Sequence, residues 1–335
     1  MTYILTNKLH PVIKKILKTK LYSIIFATII FITGANILGG YLYLSGPLEE
    51  RTVVIVRKGL SIHEISQKLG QAGIIKYPRL FEIIGKIYSL KTPLKSGEYD
   101  FTEGISPLQV IRKLATGKSI IHALFIPEGM MVSEIIDKIN GEELLEGDVF
   151  LPIPEGYLMP STYFYSYGDK RENIIDQMRT GMSLALDEVM PKLSPKSPLK
   201  TRMDVLILAS IVEKEAGNDS ERARIAGVFI NRLNKKMKLQ ADPTSAYAVT
   251  EGKYKLGRPL TKADLRTPSP YNTYFVIGLP IGPIACPGRK SLEAVVSPAK
   301  TDELYFVVNG LGGHNFSKTL DDHNNHVQSF RKLGK

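Results

Sequence analysis

Thr201-Arg202-Met203-Asp204-Val205-Leu206-Ile207-Leu208-Ala209-Ser210-Ile211-Val212-Glu213-Lys214-Glu215 is the most informative stretch of this 335-residue chain. Thr201-x-x-Asp204 has the spacing of a helix capping box, with Asp where Glu or Gln is preferred, and Gly217 marks the helix end. From Val205 to Val212 every face is apolar or small. A helix of that kind must be buried all round, so it forms the centre of a domain. Charged residues follow at once. Glu213 lies seven, four and three positions after Leu206, Ala209 and Ser210, on their stripe, and is expected to project toward the packed side or a cleft in it. Glu215 lies on a different stripe and is the alternative position.

Partial desolvation and the negative end of the helix would both favour the protonated form of Glu213. A carboxylic acid held neutral is what glycosidic cleavage needs, because the departing sugar oxygen must receive a proton. The other reading is a solvated helix end whose carboxylates pair with Arg222 or Arg224.

Outward from this helix, Asn218-x-x-Glu221 has capping spacing. It opens a second helix with Ile225, Val228, Phe229 and Leu233 on one face, completing a helical hairpin. Leu239 to Thr244 reads as a polar turn. Between Leu256 and Lys290 fall six prolines and four glycines; so long an irregular segment inside a domain is usually a binding loop. Its tyrosines, amides and hydroxyls suit sugars, which offer apolar ring faces and hydroxyl edges. A strand is expected over about Glu303 to Val308, then a glycine turn and His314. The His and Asp residues that follow match no zinc spacing: there is no HExxH and no cysteine pair, so no metal or other cofactor is expected. Cys286, the only cysteine, cannot form an intramolecular disulfide. It reads as a small apolar filler, with a nucleophile as the alternative.

Toward the N-terminus, an amphipathic helix is expected over about Arg171 to Met190, preceded by a loop from Pro154 to Tyr163. Residues 52 to about 145 repeat a strand–glycine–helix pattern three times. The turns fall at Gly59, Gly104 and Gly129, and Ser61, Ser106 and Ser133 stand where caps are expected. The pattern resembles the LysM fold, a small glycan-holding module; a structural spacer is the other reading. Leu21 to Leu44 carries no charge and as a helix would reach ~36 Å, enough to cross a hydrocarbon core of roughly 30 Å. Five lysines precede it (Lys8, Lys14, Lys15, Lys18, Lys20) and Glu49-Glu50 follow it. The positive-inside rule then puts the N-terminus in the cytoplasm. The net charge of +11 therefore belongs partly to this tail. With no basic–aromatic run, nucleic acid is not an expected partner.

Seven segments together resemble the endolytic peptidoglycan transglycosylase family, the YceG-like proteins. They are Glu155–Tyr163, Leu208–Glu215, Gly227–Leu233, Leu239–Thr244, Ser269–Tyr274, Gly278–Ile284 and Gly312–Phe316, in family order. Met159-Pro160-Ser161 departs from the family's usual Phe-Pro-Asp. The resemblance implies an α+β protein: a cytoplasmic tail (1–20), one transmembrane helix (21–44), a LysM-like module (45–150) and a catalytic domain (151–335). It implies cleavage of the MurNAc–GlcNAc β-1,4 bond in nascent strands, leaving 1,6-anhydro-MurNAc ends and terminating strand elongation, by a protein of the bacterial inner membrane. The family's catalytic glutamate is assigned to Glu213, and Gln240, Asp242, Tyr271, Asn272, Tyr274 and His314 are assigned to the substrate cleft. Peptidoglycan strands, membrane lipid along 21–44 and cell-wall synthases are the partners implied. Two rival readings are a membrane-tethered peptidoglycan-binding scaffold and a hydrolase using Asp242 as the second carboxylate.

Overall fold

The computed structural model describes residues 11–149 and 152–333. Lys8 and the rest of residues 1–10 lie outside them. The chain is mixed α+β and divides into two compact units.

The first unit runs to Ile120 and includes Ser166–Gly168. It opens with α1, Pro11–Tyr43, whose Lys15–Tyr43 portion is long and apolar enough to cross a membrane. Then come β1 (Thr52–Val56), α2 (Ile62–Gln71), α3 (Pro78–Ser89), β2 (Gly97–Phe101) and α4 (Pro107–Thr116). The strands pair antiparallel, Thr52 opposite Phe101 and Val56 opposite Gly97. Alternation puts Val54, Val56, Tyr99 and Phe101 on the inner face, where they pack with Leu69, Phe81 and Leu114. Ser61 and Ser106 cap α2 and α4 through full capping boxes with Glu64 and Gln109.

The second unit contains β3 (Ile121–Phe125), α5 (Val132–Asn140), β4 (Thr162–Ser166), α6 (Arg171–Val189), α7 (Arg202–Glu215), α8 (Arg222–Asn234), α9 (Asp242–Thr250), α10 (Arg289–Val296), the β5–β6 hairpin (Tyr305–Val308 and His314–Ser317) and α11 (Leu320–Leu333). The third strand–glycine–helix repeat thus belongs here. Its cap differs from expectation: the N-cap is Met131, whose amide is held by Glu134 at 2.9 Å, and Ser133 is the second residue of the helix. Ser133 instead donates to Gly252 O at 2.7 Å.

α7 is the axis of this unit. Thr201 Oγ1 accepts from Asp204 N at 3.1 Å, and Asp204 accepts from Thr201 N at 2.9 Å, so the shorter aspartate closes the box. All eight residues from Val205 to Val212 are buried, and the helix packs against α8, α9 and α10. Ser210, the one hydroxyl among them, donates to Ile207 O and accepts from Ile284 N at 3.0 Å, which ties the proline-rich loop to the core helix. Asn231 and Arg232 of α8 bind the backbone leading into β5 at Thr301, Glu303 and Leu304. Those bonds set the hairpin's position relative to the α7–α8 pair. The sequence reading missed β6. The second half of its polar turn, Asp242 to Thr244, is the start of α9, with Asp242 and Pro243 in the first turn, while Leu239 to Ala241 do lie in irregular backbone.

Candidate active site

The C-terminal end of α7 delivers its two glutamates to different surroundings. Glu213 is on the packed side, its side chain only 5% exposed. Its carboxylate accepts from Arg222 Nη1 at 2.9 Å, from Gly288 N at 2.9 Å and from Ser291 Oγ at 2.8 Å. Arg222 begins α8, and Gly288 and Ser291 begin α10. One carboxylate therefore joins the end of α7 to two helix N-termini, where negative charge is favoured. Arg222, 10% exposed, also reaches Asp219 at 3.0 Å and Glu128 at 3.6 Å. Burial of Glu213 agrees with the stripe argument, while its pairing with Arg222 is the partner expected on the other reading, in a buried setting rather than a solvated one. The combination is that of a buried carboxylate held by an arginine, a backbone amide and a hydroxyl.

Glu215, two residues on, faces a concave site of about 390 Å³ formed by the end of α7, the start of α9, the β5–β6 hairpin and α11. Gln240, Asp242, Tyr274 and His314 line the same cleft, with Arg232, Tyr305 and His323. Burial is the main force on the Glu215 carboxyl, and the nearby charge of Asp242 adds to it. Together they push its pKa up to about 8, against a smaller opposing pull from Arg232. Arg232 is a weak counter-ion because its guanidinium is spent on the Leu239 and Leu304 carbonyls.

Local bonding explains how the cleft residues are presented. Gln240 takes a left-handed backbone (φ 47°), turning the chain so that Ala241 N bonds Thr273 Oγ1 at 2.9 Å. Thr244 and Thr273 hydroxyls bond at 2.8 Å, and Ser245 donates to Asn272 at 2.8 Å. This buried polar network, with each member satisfied, clamps the Ser269–Tyr274 segment onto α9. Tyr274 then donates to Asp242 Oδ1 at 2.6 Å. His314 is held on the opposite wall by Glu221, which bonds both its amide (2.9 Å) and its Nδ1 (2.8 Å).

Two of the residues assigned to the cleft lie elsewhere. Asn272 is fully buried and spends its amide on Leu265 O, Thr267 O and Ser245, bonds that shape the loop. Tyr271 packs on Tyr247 with ring centroids 4.8 Å apart and lines a separate groove with Ser269 and Glu251. Cys286 is fully buried, and that burial pushes its thiol pKa far up, as befits an apolar filler. Arg232, Tyr305 and His323, which line the cleft, and Glu221, which holds His314, were not singled out for these places from sequence. The Asn231-Arg232 pair on an otherwise apolar helix face was the one available signal.

The YceG-like family pattern matches residues 54–329. An endolytic murein transglycosylase of Bacillus subtilis (strain 168) is 33% identical, aligning 85% of this chain with 88% of that protein. Another, from Streptococcus pneumoniae serotype 2, is 28% identical over 92% of this chain, which spans 65% of that relative's length. A crystal structure of a YceG-like protein from Listeria monocytogenes is 33% identical with a TM-score of 0.54, covering 82% of this chain and 98% of that one. The match over most of the chain and the Bacillus relative lead to one conclusion: this chain belongs to the YceG-like family.

Proposed function

We propose that the chain is an endolytic peptidoglycan lytic transglycosylase, with Glu215 rather than Glu213 as its acid and base. The observation that carries this reading is a carboxyl held neutral in a sugar-sized cleft, in a chain whose relatives are named endolytic murein transglycosylases. Glu215 gives its proton to the glycosidic oxygen as the bond from MurNAc C1 breaks, releasing the GlcNAc hydroxyl. It then takes the proton from the MurNAc 6-hydroxyl, whose oxygen closes on C1 to give the 1,6-anhydro ring. No water is consumed. The attacking hydroxyl belongs to the substrate and has a high effective concentration, so one carboxylate can serve where hydrolases generally need two. Gln240, Tyr274 and His314 supply donors and acceptors to sugar hydroxyls and acetamides. Asp242 fixes Tyr274 and keeps Glu215 protonated by like-charge repulsion.

Full-length protein incubated with nascent, uncrosslinked glycan strands is expected to give internal fragments ending in 1,6-anhydro-MurNAc by mass spectrometry. Reducing-end MurNAc would favour a hydrolase, and an absence of products a binding scaffold. The electrostatics make a second prediction. Asp242→Asn removes a charge that raises the Glu215 pKa, so the alkaline limb of kcat/KM, expected near pH 8 in the parent, moves to lower pH. An alkaline limb that stays in place would show that Asp242 does not act on the titrating acid.

The remaining parts of the reading concern placement. The apolar α1 anchors the chain in the cytoplasmic membrane with its lysine-rich end inside. The β–α–α–β core of the first unit supports a LysM-like role in holding glycan. Cell-wall synthases are the partners that would supply nascent strands, and cutting those strands would terminate their elongation.

A further inference from the structure

The segment that follows α1 is not a free tether. Gly46 N bonds Gly104 O at 3.2 Å, Gly104 N bonds Leu48 O at 2.9 Å, and Leu48 is buried in the core of the first unit. A side chain at Gly46 would run into the Ile105 carbonyl, so the chain leaves α1 and enters the unit with no slack. Tyr77 sits beside the last turn of α1, its ring 5.9 Å from that of Tyr41, and Tyr41 OH donates to Tyr77 O at 3.4 Å. A groove of about 560 Å³ between them is lined by Ile37, Gly40 and Leu44 on one side and by Lys76 and Tyr77 on the other. Lys76 and Tyr77 are thus level with the end of the apolar helix, the depth at which tyrosine and lysine side chains are favoured.

From Tyr77 the chain enters α3, whose outer face carries Ile83 and Ile87, continued by Leu90 at the C-cap, exposed by 57, 64 and 86%. At spacings of four and three they form one row. Single exposed apolar side chains are ordinary, but a row on one helix marks a contact surface. Lys76, Arg79, Lys86 and Lys91 surround it. The only acid in α3, Glu82, is taken by Lys86 at 2.6 Å and by His63 at 2.8 Å. An apolar row bordered by cations and starting at the mouth of a spanning helix fits a lipid surface with anionic headgroups.

We propose that the first unit rests on the bilayer through α3, with Ile83, Ile87 and Leu90 in the headgroup–acyl boundary and the surrounding cations on lipid phosphates. The proposal rests on the reading of α1 as a membrane anchor. Such seating would hold the unit at a fixed height instead of letting it swing on the end of a helix.

The test is the full-length chain in nanodiscs of phosphatidylglycerol and phosphatidylcholine, carrying a single nitroxide at Ile87→Cys or Leu90→Cys. Phe31→Cys in α1 and Lys58→Cys in the exposed turn after β1 serve as references; buried Cys286 does not react. The expected result is that labels at 87 and 90 lie about 5–10 Å into the boundary, accessible to oxygen and shielded from a water-soluble nickel chelate. Lys58→Cys stays open to the chelate. Water-like relaxation at 87 and 90, with a lipid-like signal at 31, overturns the α3 contact and leaves the anchor standing. Water-like relaxation at 31 as well overturns both. Shielding at 87 and 90 that appears only after a second membrane protein is added assigns the row to a protein partner and overturns the lipid reading.

Discussion

Glu215→Gln is expected to lower strand cleavage by about 10²–10⁴-fold, the usual worth of a general acid–base group, while leaving the fold intact. The stability change distinguishes this from simple damage. Glutamates of the unfolded chain ionise near the ordinary value of 4.5, whereas Glu215 in the folded chain holds its proton up to about 8. Between those values the unfolded state has fewer bound protons than the folded one, so stability falls as pH rises through the window. The amide removes that penalty. Thermal unfolding of Glu215→Gln at neutral pH should therefore begin at the same temperature as the parent or a higher one, even as cleavage is lost. A variant that retained cleavage would remove Glu215 from the chemistry.

Glu213→Gln is expected to do the reverse. It takes the anion from a buried pair and leaves Arg222, Gly288 N and Ser291 Oγ facing a neutral amide. Breaking one side of such a pair costs about 3 kcal/mol. In a unit of about two hundred residues this is a drop in Tm of roughly 6–12 °C. Because Glu213 joins the end of α7 to the starts of α8 and α10, the loss should appear as cooperative unfolding of that unit. Cleavage measured well below the transition should fall far less than in Glu215→Gln. A large loss of activity with unchanged Tm would restore Glu213 as the acid. The two measurements, run on both variants, separate the roles of residues only two positions apart.

Local signals carried much of the fold into the sequence. The Thr201–Asp204 box, the all-apolar run to Val212 and the amphipathic 171–190 segment all depend on neighbours within a few turns, and each helix formed where those signals lie. Asn218 instead caps a single 3-10 turn, Asp219–Glu221, from which α8 continues at Arg222. Ser133 was misread because a serine two positions into a helix looks like a cap. The capping carboxylate, Glu134, reaches back to the Met131 amide just as well. The start of α9 was hidden by its polar composition, since Asp242-Pro243-Thr244 serves equally as a turn or as a first helical turn with Pro pre-set in φ. β6 has no alternating apolar pattern of its own and exists because β5 lies beside it.

By itself, the sequence determined the apolar N-terminal helix and the buried core helix with a carboxylate at its end. Four of the residues it offered for a cleft, Gln240, Asp242, Tyr274 and His314, line one concave site in the structure. It also carried the likeness to a family. Which glutamate faces that cleft was decided only by the tertiary structure. A stripe argument tells which side of a helix is packed, and Glu213 is indeed on that side. It does not tell whether the packed side ends in an arginine or in an open site. Arg222, Gly288 and Ser291 come from elements up to 78 residues away and hold Glu213, while Asp242 and the hairpin gather around Glu215. Desolvation without a hydrogen-bonding cation, the condition that keeps an acid protonated, is a property of that assembly and of no segment within it.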